Sequence, residues 1–405
     1  MIIRESYLQK LRLLKDQDLI KVITGVRRCG KSTLLDSFRG EILDSGVNPS
    51  NIIFFNFEER ENVKFAEWTV LYDAITAKIK EGGKYYVFLD EVQLIPNFEK
   101  LVDGLYVKKN IDLYITGSNA FLLSSELATL LTGRYIAINL HPYSFAEYAS
   151  AFPEEANTDR LFRQYMNSSA FPEAVTLSKT APELVNDYLQ SIYDTVIGKD
   201  IIQKHKLRNI NNLQRIIEFL FDSVGSLVSP TNIAEQLNRN SDKKISHNTV
   251  IKLINYLTES YILYKAPRYD IKGKELLSTN EKLYVVDLGL KNITSTNKYD
   301  ADLGHKLENV VYFELLRRGG RVSVGKNRDK EVDFIVQKAG NEREYYQVAY
   351  TVNDEKTFNR EISSLKTITD NYPKYLLTLD YDNAIIEGIQ KVNVIDWLLD
   401  KNKQS

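Results

Sequence analysis

The sequence predicts an α/β protein: a parallel sheet with flanking helices comes first, then a helical/winged-helix region, then a second α/β segment. Three observations carry that expectation. The first ~140 residues alternate short β-rich apolar runs with amphipathic stretches, the texture of a parallel sheet covered by helices. After His141-Pro142 the apolar residues take up helical spacing, and from about Lys282 the text returns to mixed strand and helix. The chain has 405 residues, more than one hydrophobic core usually organises, and the changes of texture divide it into 1–145, 146–278 and 279–405.

Composition narrows the function classes. Hydrophobic residues make up 43% and charged residues 26%, which argues against a disordered or collagen-like chain. No run approaches the ~18 uninterrupted apolar residues of a membrane span, and Met1 to Lys10 carry early charges, so a cytoplasmic protein with no membrane partner is expected. Cys29 is the only cysteine, and the four histidines are scattered, which excludes an internal disulfide and a structural zinc cluster. The net charge of -1 confines any nucleic-acid affinity to local basic patches.

Taken in order, the sheet strands are expected at Leu19-Thr24, Ile52-Phe57, Tyr85-Asp90, Ile111-Thr116 and Tyr135-Asn139. Helical periodicity falls in Ser32-Leu43, Trp68-Lys80, Phe98-Val107 and Ala120-Leu131. The middle region offers helices at Leu161-Met166, Leu184-Ile197 and Leu213-Val224, a break at Gly225-Pro230, then Thr231-Leu237 and His247-Thr258. Strand-like runs follow at Leu283-Val286, Val322-Val324, Val332-Val336, Tyr345-Tyr350 and Tyr375-Leu379, with a helix at Leu307-Arg318.

Gly25-Val26-Arg27-Arg28-Cys29-Gly30-Lys31-Ser32 fits G-x-x-x-x-G-K-[ST] between a strand and a helix, the context that a phosphate-binding loop needs. Gly25 and Gly30 permit the turn and the close approach, and the helix behind the loop presents its positive end. Lys31 is expected to reach the β- and γ-phosphates of ATP and Ser32 to bind Mg²⁺, with Thr33 following in the helix. Cys29 is expected to contribute only its backbone N–H, and Arg27 and Arg28 to contact nucleotide or a partner. Tyr85 to Glu91 supplies the second half of the chemistry. Asp90 would hold the metal, and Glu91, placed on the other face by the strand's period of two, would orient the attacking water. Such a pair also ends many strands as a solvated terminus; the phosphate-loop motif is what selects the catalytic reading. Ser118 and Asn119, after the Ile111-Thr116 strand, are candidate sensors of the γ-phosphate, although Gly117-Ser118 would serve equally as a plain helix entry. Arg134, after Gly133, is a candidate for stabilising phosphoryl charge in its own site or a neighbour's, which would make the protein a homo-oligomer.

These residues, with Thr33-Leu34-Leu35, Val92-Gln93, Leu131-Thr132-Gly133-Arg134 and Pro142-Tyr143-Ser144-Phe145-Ala146-Glu147-Tyr148, resemble the prokaryotic AAA-type P-loop ATPases found with a C-terminal domain of unknown function. Later landmarks are Lys282 to Leu290, Gly304 to Asn309 and Glu331 to Phe334. The resemblance implies an ATPase core, a middle winged-helix region and a C-terminal domain similar to restriction endonucleases and other PD-(D/E)xK nucleases.

Lys199 to Glu275 hold thirteen Lys and Arg against eight Asp and Glu, so charge is segregated into the middle region. Thr231-Leu237 and Ser246-Leu257 read as a helix-turn-helix, and Tyr264-Lys274 as a wing that touches DNA phosphates. A protein-binding winged helix with a solvated basic face has the same composition. His247 reads as a polar neighbour of a helix cap. In the nuclease-like tail the resemblance places Glu308 on a helix, Asp333 on a strand and Gln347-Val348-Ala349 where Glu-x-Lys belongs. The missing carboxylate and amine make that site degenerate and metal-dependent cleavage unexpected. Three readings follow: a DNA-acting ATPase, a nucleotide-gated switch for a protein partner, and, disfavoured, an ATP-controlled nuclease.

Overall fold

A computed structural model describes the chain except for residues 1, 66, 121–130, 132, 240–243, 296–302 and 401–405. The chain forms two compact units. The first holds Met1–Pro142 and Glu259–Tyr261, the second Tyr143–Thr258 and Ile262–Ser405.

The first unit is a five-stranded parallel sheet: β1 (Ile20–Thr24), β2 (Ile52–Asn56), β3 (Tyr85–Asp90), β4 (Ile111–Gly117) and β5 (Tyr135–Asn139), in the order β2-β3-β4-β1-β5. Every residue of β1 and β3 is buried, as expected of central parallel strands covered on both faces. Helices α1 (Glu5–Leu14), α2 (Lys31–Asp44), α3 (Trp68–Thr76) and α4 (Phe98–Tyr106) flank the sheet. Leu71, Ile75, Leu101, Val102 and Leu105 pack from α3 and α4 onto Val22, Val87, Leu89 and Ile115. Each such side chain contributes roughly 1.5–3 kcal/mol on burial. The expected strands form within a residue or two. The expected Trp68-Lys80 helix stops at Thr76, ahead of Gly82 and Gly83, and α1 was not anticipated. The expected Ala120-Leu131 helix falls largely outside the described residues.

In the second unit, helices run from α5 (Phe145–Ser150) through α6 (Thr158–Asn167), α7 (Pro172–Thr180), α8 (Val185–Thr195) and α9 (Ile210–Asp222). A capping box of Ser144 and Glu147 starts α5. Beyond α8 the chain continues as a π-helix over Val196–Gln203, where an unbroken helical pattern had been expected to end at Ile197. Then come β6 (Leu227–Val228), α10 (Pro230–Asn238), α11 (His247–Glu259) and the hairpin β7 (Leu263–Asp270) with β8 (Glu275–Val285). The run expected as a wing is thus mostly β7, and β7 pairs in parallel with β9 (Arg321–Asn327). Through β10 (Lys330–Gln337), β11 (Arg343–Val348), β12 (Lys374–Thr378), β13 (Ala384–Ile386) and β14 (Ile389–Asn393) the hairpin belongs to one nine-stranded sheet, ordered β13-β14-β12-β11-β10-β9-β7-β8-β6. Helices α12 (Leu288–Thr294), α13 (Leu303–Arg317), α14 (Glu355–Lys366) and α15 (Val394–Leu398) complete the unit.

The Lys282 to Leu290 landmark acquires a physical reason. Asp287 caps α12 by accepting from Leu290 N at 3.1 Å, and it also accepts from Ala170 N at 2.7 Å. Burial pushes its carboxyl up to about 6, against the pull of those amides. Gly289 lies so close to Ser169 that a Cβ would sit 2.6 Å from the Ser169 Cβ.

Candidate functional site

β1 delivers the loop at the carboxyl edge of the sheet. Gly25 turns with φ of 151°, and a Cβ there would meet the Leu140 carbonyl oxygen at 2.1 Å, so glycine is required. Gly30 occupies the cap position of α2 with φ of 99°. The first-turn N–H groups of a helix have no intrahelical acceptors, and those of α2 follow directly on the loop. Arg4, buried at the start of α1, donates to the His141 carbonyl at 2.9 Å and the Cys29 carbonyl at 3.4 Å, bracing the loop from outside.

Lys31 is only 4% exposed. Its ammonium donates to the carbonyls of Gly25 at 3.1 Å and Val26 at 3.3 Å and lies 3.2 Å from Glu91 Oε1. Burial alone would lower the lysine; Glu91 overcomes it, so the group stays above its usual value. At the end of β3, Asp90 is fully buried. Thr116 on β4 donates its hydroxyl to Asp90 Oδ1, and the Ser32 hydroxyl faces the same carboxyl. Asp90 Oδ2 is buried with no hydrogen-bond partner. Burial raises this carboxyl more than the two hydroxyls lower it. An orphaned carboxylate oxygen beside a serine hydroxyl fits one hydrated Mg²⁺, which takes one or two protein oxygens and fills the remaining positions with water and phosphate. Among the described residues, and with every side chain in place, no group of three or more His, Cys, Asp or Glu is arranged to hold a metal.

Glu91 reaches the site by a different route from the one expected. It does not continue the strand's alternation; the chain turns there with φ of 55°, and its amide donates to Thr116 Oγ1 at 2.9 Å. Asp90 and Glu91 therefore meet the Lys31–Ser32 pair together, although consecutive strand residues would face apart. Glu91 Oε2 accepts from Ser118 Oγ at 2.9 Å and Gln93 Nε2 at 2.5 Å. Burial would raise this carboxyl, but Lys31, Gln93 and Ser118 hold it below the usual range.

The structure thus brings Lys31, Ser32, Asp90, Glu91 and Ser118 together, and Asn119 is buried beside Ser118 at the end of β4. Val26 and Cys29 are fully buried in the loop, while Arg28 and Thr33 are exposed. Arg27 donates to Glu58 Oε1 at 2.8 Å. For Arg134 the geometry bears on one of its two expected places, its own site. The residue precedes β5, whose first residue pairs with Ile20 at the start of β1, the end opposite the loop, and its guanidinium donates to Asp103 Oδ1 at 2.7 Å. With five strand residues at ~3.3 Å each in between, Arg134 does not serve its own site. Thr116, Gln93 and Arg4 were not anticipated as site residues. The first two stood in the quoted motifs, where an alternating hydroxyl and an amide two residues past Glu91 were the available signals; nothing local marks Arg4.

At the C-terminal site Glu308 and Asp333 do come together, around the ammonium of Lys282. Gln347 lies on the neighbouring strand but donates to Glu361 Oε2 at 2.8 Å.

Comparisons with known proteins bear on the family and the fold. Residues 17–149 match the model of an AAA domain, and residues 159–300 that of a domain of unknown function (DUF8612). An uncharacterized protein of Haemophilus influenzae is 39% identical over 404 residues, covering 98% of this chain and 99% of its own. An uncharacterized protein of Methanocaldococcus jannaschii is 28% identical, covering 93% and 85%. The solved Walker-type ATPase PABY2304 of Pyrococcus abyssi shares the fold with a TM-score of 0.51 at 14% identity, over 73% of this chain and 96% of that one. No described helix is long and apolar enough to cross a membrane. On the end-to-end match and the AAA domain, the chain belongs with the Haemophilus influenzae protein in a family of AAA proteins of P-loop ATPase fold that also carry a domain of unknown function.

Proposed function

We propose that the protein binds and hydrolyses ATP with Mg²⁺ in the first unit and uses its nucleotide state to control a winged-helix and nuclease-like second unit on DNA. The single observation that carries the hydrolytic reading is the meeting of Lys31, Ser32, Asp90 and Glu91 at one sheet edge. In this reading the loop amides from Val26 to Thr33 and Lys31 hold the phosphates, and Ser32 and Asp90 hold Mg²⁺. The ion's contribution is to neutralise charge on the β- and γ-phosphate oxygens. An arriving phosphate gives the Lys31 ammonium a new partner, which frees Glu91 Oε1 to accept a proton from, and so orient, the attacking water. Ser118 and Asn119, at the end of β4, sense the γ-phosphate. Arg134 acts, if in any site, in that of a neighbouring chain.

Two observations support the rest. The segment Glu259–Tyr261, at the end of α11 and ahead of β7, belongs to the first unit, with Tyr261 buried beside Thr24 at the end of β1. A chain segment that touches the nucleotide strand and continues into the hairpin is a route for coupling. Arg239 and Lys244 between α10 and α11, Lys252 in α11, and Lys272 and Lys274 in the hairpin turn are exposed, in keeping with phosphate contacts.

The test is ATP turnover by the full chain with Mg²⁺, with and without duplex DNA at two salt concentrations. The expected result is Mg²⁺-dependent turnover raised by DNA at low salt, and a fall of about a hundredfold or more in Lys31→Ala. A Lys31→Ala protein that kept the parent rate would remove the hydrolytic assignment; salt-independent indifference to DNA would remove the DNA reading alone.

A further inference from the structure

Lys282 lies inside β8, held on both sides by pairing with Leu227 and Ala266, and is 4% exposed. Its ammonium sits 2.7 Å from Glu331 Oε1, 2.9 Å from Glu308 Oε1 and 3.7 Å from Asp333 Oδ1. Those three carboxylates come from β10 and α13. Two of them are held by a further bond each. Tyr284 donates its hydroxyl to Glu308 Oε1 at 2.6 Å, and Val348 N donates to Asp333 Oδ2 at 2.9 Å. Three oxygens converging on one buried point from two elements is the donor arrangement of a hard cation, and here the point is occupied by nitrogen. Burial would strip the proton from an isolated lysine; the carboxylates reverse this, so the group remains an ammonium across the physiological range.

We propose that the Lys282 ammonium is the resident cation of this pocket and holds the place of a divalent ion, so that Glu308, Glu331 and Asp333 take a metal only when that ammonium is removed. The inference is independent of the ATPase reading. It gives the C-terminal site a structural rather than a hydrolytic role: the lysine ties β8 to β10 and α13, and no water is activated there. Gln347, turned to Glu361, is not part of the cluster.

The experiment uses the full chain without nucleotide and titrates Tb³⁺, with emission excited through tyrosine, and Mn²⁺, read as a shift in melting temperature. Five proteins are compared: parent, Asp333→Asn, Lys282→Met, Lys282→Met with Glu331→Gln, and Lys282→Met with Asp333→Asn. Expected is a saturable Tb³⁺ signal and an upward Mn²⁺ shift of several degrees in Lys282→Met, lost on adding Asp333→Asn, with no Asp333-dependent response in the parent. Should Lys282→Met fold only when Mn²⁺ is present, that supports the proposal too. Should it fail to fold under either condition, the milder Lys282→Met, Glu331→Gln protein, which removes one negative charge with the positive one, decides. Metal binding by the parent that Asp333→Asn abolishes would overturn the proposal, as would folded lysine variants that take up neither ion.

Discussion

Each compact unit buries a lysine against carboxylates, and the two are held in ways that differ in what they leave open. Lys31 stands on the first residue of a helix and shares its ammonium between two loop carbonyls and one carboxylate. Beside it Asp90 Oδ2 has no partner. Lys282 stands in the interior of a paired strand and meets three carboxylates, of which Glu308 and Asp333 are also bonded to Tyr284 and to the Val348 amide. Carbonyls are weak partners for a cation, and a phosphate displaces them; three carboxylates around a fixed strand leave an anion nothing to gain. The same residue types therefore make an open site in one unit and a closed one in the other, and the difference lies in the count of formal charges and in the stiffness of the element carrying the lysine.

The largest effect that sharpens this contrast is at Glu91. Replacing it with Gln keeps the shape and the contact with Ser118 but removes the base, so turnover is expected to fall about 10²–10⁴-fold. ATP binding, measured by equilibrium titration, should persist because Lys31 and the loop are intact. Loss of binding together with turnover would mean that Glu91 chiefly holds Lys31 in place.

How far the sequence showed these two sites differs for the same reason. The loop is local: Gly25, Gly30, Lys31 and Ser32 lie within eight residues, and strand burial of Tyr85 to Asp90 follows from an unbroken apolar run. Glu91 was identified, but its positive φ was not, because a turn that begins one residue early leaves no mark in an alternation pattern. Lys282 was read only as part of a strand landmark. Its partners are 26, 49 and 51 residues away on α13 and β10, and no periodicity links a lone lysine to carboxylates at such separations. The hairpin shows the same limit: Tyr264-Lys274 carried basic and aromatic residues that suit a wing, whereas pairing of β7 with β9 depends on residues some fifty positions downstream. For Arg134 the choice between its own site and a neighbour's was not legible, because its register against β1, not its neighbourhood in the chain, decides which end of the sheet it occupies.

An effect of intermediate size separates the two sites by sign. Glu91 is held below its ordinary value of 4.5, so its contribution to stability is present above that pH and is lost as pH falls through the lowered value. Asp333 is pushed well above its ordinary 3.8, by burial first and by Glu308 next. Its contribution is therefore fully present below 3.8 and is lost as pH rises through the raised value. Melting temperatures between pH 3 and 8 should show opposite changes of slope: Glu91→Gln flattens the acid limb, and Asp333→Asn flattens the decline on the other side. Identical profiles for both variants would remove the distinction between an open and a closed lysine site.

The smallest effect is expected at Arg134, and it tests whether the open site is complete within one chain. The Arg134–Asp103 pair is more than a third exposed on both sides, so Arg134→Ala should cost about 0.2–1 kcal/mol of stability at most. Because the residue stands at the far end of β1 from the loop, turnover per chain at low protein concentration is expected to be unchanged. The informative arm raises concentration. If turnover per parent chain climbs as chains associate and Arg134→Ala abolishes only that climb, the arginine belongs to the site of an adjoining copy, and the open site, unlike the closed one, is finished by a second chain. If neither protein responds to concentration, the carboxyl edge of a single sheet contains all the groups that hydrolysis uses.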